Sequence, residues 1–315
     1  MSTPVRFGII GTGTIARFDG QAMAQIPNAK LVAAYSEANA DKFAAEFNVE
    51  VAPTLEALLT RPDIDAVCVT TPSGAHGAPT IAALNAGKHV LCEKPLEITT
   101  ERIDEMLATA KAAGKILGAV FQSRFGQGAR TVRQAVEQGR FGRLTLCSAY
   151  IKWWRTQEYY DSGAWRGTWE LDGGGALMNQ GVHAIDLLQW FAGMPTEVTA
   201  FTATIAHERI AVEDTAAAAL RYANGALGVI EAATSTYPGW AKRIEISGDK
   251  GSCVLEDDTI KFWQFAEELP EDAAIRAGSN TSAIGGGVAD PKAIGIEGHK
   301  QQIEAFVEAC GAAPF

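Results

Sequence analysis

Val5-Arg6-Phe7-Gly8-Ile9-Ile10 runs without interruption into Gly11-Thr12-Gly13-Thr14-Ile15-Ala16. The first six residues read as a buried strand, and the next six fit GxGxx(G/A) at the point where a helix opens. In that pattern the first glycine permits a tight turn and the second lets backbone approach a pyrophosphate. The small sixth residue allows close helix packing, while the helix N-terminus faces the anion. Gly11, Gly13, Thr14 and Ile15 are therefore candidate dinucleotide contacts. A merely tight strand-to-helix turn is the bland alternative, and the strand before it with the helix after it weighs against that.

Further apolar runs follow at Leu31 to Tyr35, Ala66 to Thr70, His89 to Cys92 and Ile116 to Phe121, with helical stretches between them. This alternation is how a parallel sheet with crossover helices reads. Thr54 is placed to cap a helix through Leu55 and Leu59, and Gly87 to end one through Ile81 and Leu84. Thr100 and Gly114 bracket Ile103 to Ala113. A doubly wound α/β Rossmann domain is expected over residues 1–123.

A linking helix, Ala129 to Gln138, ends at Gly139, after which longer strand-like runs are joined by turns. They are Leu144 to Trp153, Val198 to Ala206, Thr215 to Tyr222, Ala226 to Ser235, Arg243 to Ser247, Ser252 to Leu255 and Ile260 to Phe265. Asn224-Gly225 signals a hairpin in which both turn positions take positive φ. One helix, Ala176 to Phe191, interrupts the strands. Residues 124–315 are thus expected to form an α+β domain with an antiparallel sheet. The glycine-rich stretch Ala277 to Gly287 reads as a mobile loop.

Length and composition agree with two globular domains: 315 residues, 47% hydrophobic and 20% charged. The net charge of −10 and a pI near 5.1 argue against a surface for nucleic acid or anionic lipid. The first residues lack a secretory signal and no apolar run spans a bilayer, so a cytoplasmic protein is expected. Five scattered cysteines, without CxxC or Cys/His pairing, suggest neither disulfides nor a metal site.

Four places carry chemistry. The end of the second strand, Tyr35-Ser36-Glu37, should meet the adenosine ribose; Glu37 would repel a 2′-phosphate, which favours NAD over NADP. Glu93-Lys94-Pro95 stands at the carboxyl end of the fourth run, where ligands of such sheets bind. A surface charge is the usual fate of a lysine, but Lys94 follows a buried-looking strand and Pro95 restricts its backbone. After Gly173-Gly174-Gly175, the residues Asn179, His183 and Asp186 fall on one helical face, and the glycines permit close approach. Finally, Tyr150 to Trp169 holds seven aromatic residues in twenty, together with Arg155 and Arg166. Such a wall, with Tyr160 and Trp165 in it, suits the CH faces and hydroxyls of a sugar; a protein interface has the same composition.

These motifs and their order resemble the Gfo/Idh/MocA family of nicotinamide-dependent oxidoreductases, over nearly the whole chain. The Thr70-Thr71-Pro72-Ser73-Gly74-Ala75-His76 loop adds to the match. The resemblance implies hydride transfer between a nicotinamide and one carbon of a sugar, sugar derivative, inositol or polyol. It also implies that the second domain's sheet is open-faced and mostly antiparallel, and that a homodimer or homotetramer forms through that face. Lys94 would contact nicotinamide and reacting oxygen, His183 would be the acid/base, and Asp186 would hold substrate hydroxyls. Thr71, Pro72, His76, Glu93 and Gln122 would line the cofactor, with Trp165 and Arg166 reaching it; Arg155, Tyr160, Trp165 and Asn179 would meet substrate. Inositol-dehydrogenase-like members carry aspartate where Asn179 stands, so here a hydrogen bond replaces any carboxylate role. Relatives also continue with a further helix after the segment seen here as Gly298 to Ala309.

Charge flow then sets the chemistry. As hydride leaves a carbinol carbon its oxygen becomes anionic unless the proton leaves too; a base at His183 and a cation at Lys94 meet those needs. The same scaffold also serves NAD-dependent glycosidases and catalytically silent dinucleotide sensors. Lys94, His183 and Asp186 together argue against the sensor.

Overall fold

The computed structural model describes residues 4–38, 40–278 and 295–312. Two compact units emerge: the first holds the chain up to Gln122, Glu170–Gly173 and the segment from Ile296, and the second holds Ser123–Trp169 and Gly174–Gly295.

In the first unit, β1 (Val5–Ile10), β2 (Ala29–Tyr35), β3 (Glu50–Val51), β4 (Ala66–Val69), β5 (His89–Cys92) and β6 (Leu117–Ala119) form one parallel sheet in the order β3-β2-β1-β4-β5-β6. The order reverses between β1 and β4, which makes that pair the switch point. Helices α1 (Thr14–Met23), α2 (Ala40–Phe47), α3 (Leu55–Leu59), α4 (Gly77–Asn85) and α5 (Thr100–Ala113) cover the two faces. Successive residues of β1 serve opposite faces: Phe7 and Ile9 pack with Ala16, Met23 and Phe43, whereas Ile10 packs with Leu58, Leu84 and Met106. Burial on both sides is why these strands read as unbroken apolar runs. Thr54 caps α3 through the Ala57 N–H, and Gly114 ends α5 in the left-handed region. The N-cap of α5 is Thr99, one residue before the expected Thr100.

The last helix, Glu297–Ala312, also belongs to this first unit, which corrects the expectation of a second domain running through to the C-terminus. Its apolar stripe, Ile303, Phe306, Val307 and Cys310, joins the core around Phe7 and Met23. Gln302 clamps the edge strand, accepting from the Phe121 N–H at 2.9 Å and donating to the Ala119 carbonyl at 2.6 Å. The helix thus has partners that only the parallel sheet supplies.

In the second unit, β7 (Leu144–Lys152), β8 (Pro195–Ala203), β9 (Thr215–Tyr222), β10 (Leu227–Ala233), β11 (Arg243–Gly248), β12 (Gly251–Glu256) and β13 (Thr259–Phe265) lie in the order β13-β12-β11-β7-β10-β9-β8. All pairs are antiparallel except β7 with β10. Helices α6 (Gln127–Glu137), α7 (Gln157–Asp161), α8 (Val182–Ala192) and α9 (Pro270–Ala277) accompany it; α6 and α8 bury Val132, Leu187 and Phe191 with Ile151, Leu220 and Ile246 of the sheet. Residues of β9 alternate buried and exposed, and Phe201, Leu227 and Phe262 remain exposed, as an open-faced sheet requires.

Three readings shift in this unit. The strand expected at Val198 to Ala206 runs instead from Pro195 to Ala203, because the Asp214 carboxylate takes the N–H groups of Ile205, Ala206 and His207 at 2.8–3.0 Å and ends the ladder. The Asn224-Gly225 hairpin is present, but only Gly225 takes positive φ, in a longer turn closed by Tyr222 and Ala226. Ala176 to Phe191 is not one uniform helix: Ala176–Gly181 is a π-helical turn that passes into α8. The stretch read as a mobile loop lies, from residue 279 on, outside the described residues. No helix among them is long and apolar enough to cross a membrane.

Candidate active site

The first unit builds a dinucleotide cradle at the switch point. Gly11 takes φ +91°, its N–H donates to the Tyr35 carbonyl at 2.8 Å, and a Cβ on it would sit 2.9 Å from Thr70 and Thr71 backbone. Thr70 Oγ1 donates to the Gly11 carbonyl at 2.7 Å and locks β4 to the turn. A Cβ on Gly13, by contrast, would meet nothing within 4 Å, and no side chain caps α1 there. Open space before an uncapped helix N-terminus, with Thr14 and Ile15 in its first turn, fits a pyrophosphate. At the end of β2, Ser36 is half-buried with its hydroxyl accepting from the Ala38 N–H, and Glu37 is exposed.

Lys94 stands two residues beyond the end of β5. The Glu93 N–H continues the ladder to the Val69 carbonyl at 2.9 Å, and the Lys94 N–H donates to Glu93 Oε2 at 3.1 Å. The lysine backbone is thereby held at the carboxyl edge of the sheet, the edge at which Gly11 to Gly13 open α1. Thr71 and Pro72 lead from β4 into a short turn whose Gly74 N–H donates to the Leu171 carbonyl. Gln122, shortly after β6, has its Oε1 buried without a hydrogen-bond partner. His76 is committed elsewhere: each ring nitrogen lies 2.8 Å from a backbone carbonyl, those of Pro95 and Thr71. Burial holds its pKa below the usual value against the pull of those carbonyls. Its role in this unit is to pin the 71–76 loop to the segment after Lys94.

The second unit carries the histidine helix. The π turn sets Asn179 on a wider i→i+5 spiral than the uniform helix expected from its spacing to His183. Its N-terminus is closed by Glu213, whose carboxylate takes the N–H groups of Gly175 and Leu177 at 2.9 Å each. A Cβ on Gly175 would overlap the Glu213 carbonyl, so this glycine serves close packing of protein on protein. Asp186 is buried and gripped by Arg124 through both oxygens, at 2.8 and 2.6 Å. Burial pushes its carboxyl up, and Arg124 opposes the shift.

The aromatic segment is partly spent on internal structure. Tyr160 is buried, with its hydroxyl 2.7 Å from Thr234 Oγ1 and its ring edge-on to His207. Arg155 is buried between Trp153 and Tyr159, donates to the Trp154 carbonyl, and has its pKa lowered by burial. Arg166 stacks between Tyr159 and Trp165 at 4.3 and 4.4 Å from the ring centres and donates to the Tyr159 hydroxyl.

Sequence reading missed Arg124, Glu213, Asp19 and His299. The last two pair at 3.0 Å although 280 residues apart. A signal existed: Asp19 lies among Ala16, Gly20 and Met23, and His299 begins the stripe of Ile303 and Phe306, so each puts a charge-bearing group on a buried helix face.

Residues 5–121 match the model of the oxidoreductase family with an NAD-binding Rossmann fold, and residues 129–254 match the GFO/IDH/MocA C-terminal domain. The chain belongs to the Gfo/Idh/MocA family. The structure of the WlbA dehydrogenase from Bordetella pertussis, in complex with NADH and UDP-GlcNAcA, is similar at TM-score 0.88 and 34% identity, covering 99% of this chain and 89% of that one. The WlbA dehydrogenase from Chromobacterium violaceum, with the same two ligands, gives TM-score 0.89 and 32% identity over 100% and 88%. A 1,5-anhydro-D-fructose reductase of Ensifer adhaerens is 31% identical over 79% of this chain and 75% of its own. As a member of this family, the chain is a nicotinamide-dependent dehydrogenase or reductase acting on CH–OH groups.

Proposed function

We propose that this Gfo/Idh/MocA enzyme oxidises or reduces one ring carbon of a sugar derivative, with NAD rather than NADP, in the cytoplasm. The observation that carries the reading is the placement of Lys94: it stands on the sheet edge at which the Gly11 to Gly13 turn opens, with its backbone fixed by Glu93. When bound, the nicotinamide supplies the hydride acceptor or donor. Lys94 holds the reacting oxygen and stabilises the negative charge that grows on it. His183 accepts the hydroxyl proton in the oxidative direction and returns it in the reductive one. Asn179, beside His183 on the same helical segment, hydrogen-bonds a neighbouring hydroxyl, and Trp165 offers a face for ring CH groups. Glu37 at the end of β2 disfavours a 2′-phosphate. The exposed Phe201, Leu227 and Phe262 of the open sheet support association as a dimer or tetramer through that face.

UDP-linked sugar acids head the substrate panel, because the WlbA dehydrogenases were crystallised with one. The test is binding of the four nicotinamide dinucleotides by calorimetry, followed by absorbance of reduced nicotinamide against UDP-sugar acids, free hexoses, anhydrosugars and inositols. Binding of NAD or NADH with a substrate-dependent absorbance change is expected. Binding with no change on any substrate would overturn the dehydrogenase reading of the site.

A further inference from the structure

Behind Lys94 lies a cluster that the hydride-transfer chemistry does not use. Asp19 of α1, Glu93 at the end of β5 and His299 of the last helix are all buried, and their nitrogen and carboxylate oxygen atoms lie within 4.8 Å of one another. His299 Nδ1 is 3.0 Å from Asp19 Oδ1, which fixes the ring with that nitrogen as N–H donor. Phe18 stacks on the same ring at 6.4 Å. One Glu93 oxygen accepts the Lys94 N–H, while the other, Oε1, is buried without a hydrogen bond, and so is His299 Nε2. Three ionisable groups therefore converge from three elements, and two of their buried polar atoms, Glu93 Oε1 and His299 Nε2, make no hydrogen bond.

The energetics of burial decide what the cluster holds. Two buried carboxylates with a neutral imidazole would place two negative charges in a dry site; a proton on the cluster relieves this. Burial pushes Glu93 up to about 7, with His299 and Lys94 pulling it back and Asp19 adding to it. Burial pulls His299 down, but the Asp19 hydrogen bond and the charges of Asp19 and Glu93 outweigh it, so its net shift is upward. The other ionisable groups facing the cluster are Lys94, Cys68 and Cys92, and burial keeps both thiols protonated far above neutrality.

We propose that Asp19, Glu93 and His299 form a buried proton-holding triad that positions Lys94, so that the last helix is a working part of the reaction site. His299 and Glu93 are positioning residues, acting on chemistry only through the backbone and charge of Lys94. The idea rests on the assignment of Lys94 to catalysis, but the triad itself is observable without turnover.

The closing experiment has two arms. In the first, the histidines of the intact protein are labelled with nitrogen-15, His299 is assigned by comparison with His299→Asn, and its ring nitrogens are followed from pH 5 to 9. Expected is a protonated His299 persisting above pH 6.5, with the titration moved in Glu93→Gln and in Asp19→Asn. A neutral His299 throughout that range, or a stoichiometric divalent metal in the purified protein, would overturn the triad. In the second arm, kcat and KM are measured against pH for the wild type, His299→Asn and Glu93→Gln. A displaced lysine costs about 10- to 100-fold in kcat with little change in KM. The pH profile of kcat should shift in Glu93→Gln, and NADH binding should persist in His299→Asn. A variant that binds NADH and keeps the wild-type kcat and profile would overturn the link to Lys94. An inactive wild type with a titrating His299 would fault the assignment of Lys94 and leave the triad standing.

Discussion

Arg124 meets Asp186 in a two-pronged pair, Nε to Oδ2 at 2.8 Å and Nη2 to Oδ1 at 2.6 Å, across 62 residues of chain. The two partners are unequal. The Asp186 side chain is 7% exposed and Arg124 is 35% exposed. Arg124→Ala strands a buried carboxylate, whereas Asp186→Asn leaves an arginine able to reach water. The expected loss is about 2 kcal/mol for Arg124→Ala and about 1 kcal/mol for Asp186→Asn, discounted for the exposure of the arginine. Urea unfolding of the two variants decides the order, and equal losses would contradict it.

Lys94→Ala removes the cation at the reacting oxygen but none of the pyrophosphate cradle at Gly11 and Gly13. A fall in kcat of at least about 1,000-fold is expected, with NADH affinity changed less than about tenfold. Stopped-flow turnover and calorimetric NADH titration on one preparation test both halves. A variant that turns over at the wild-type rate removes Lys94 from the mechanism.

His183→Ala should slow oxidation by about 100- to 10,000-fold and flatten the rise of kcat with pH, since a base must lose its proton before it accepts one. An unchanged pH profile in the variant would assign the proton to another group.

The parallel sheet was legible because strands buried on both faces leave unbroken apolar runs, and because GxGxx(G/A) marks one turn that a pyrophosphate needs. The alternating strands of the second unit were legible for the complementary reason: one face is open, so β9 reads buried, exposed, buried. What escaped was set by pairing between distant segments. Nothing near Asp214 in the sequence announces that its carboxylate ends β8, and the π turn depends on Glu213, 36 residues beyond Leu177. The triple glycine was read as permitting close approach, and what approaches Gly175 is the Glu213 backbone, a partner the local sequence does not name. The last helix joined the wrong domain because chain order was the only guide to its partner, while its stripe of His299, Ile303 and Phe306 needed the first sheet.

Acid stability has a specific focus in the second unit. Asp272 is fully buried, takes Arg140 at 2.8 and 2.6 Å, and accepts from Trp263 Nε1 and the Leu269 N–H. The Arg140 hydrogen bonds, against burial, hold its carboxyl far below the usual range. A depressed carboxylate contributes stability above its unfolded pKa, about 3.9, and loses it as the pH falls below that value. Asp272→Asn should lower stability at pH 7 by about 3 kcal/mol and remove part of the acid-induced decline between pH 5 and 3. Thermal melts of both proteins across that interval measure the slope; parallel slopes would mean that Asp272 does not drive the acid transition.

Gly11 and Gly13 separate folding from binding. Gly11 takes φ +91° and has no room for a Cβ beside Thr70 and Thr71, so Gly11→Ala should lower stability and NADH affinity together. A Cβ on Gly13 would meet nothing within 4 Å of protein. It would instead enter the space in front of α1 that a pyrophosphate occupies, so Gly13→Ala should leave the melting temperature unchanged within about 2 °C and weaken NADH by at least about tenfold. The pair is decisive because the two substitutions are chemically identical and two residues apart. If Gly13→Ala bound NADH like the wild type, the pyrophosphate would not lie against this turn, and the cradle would have to be sought elsewhere along the β1 and β4 edge.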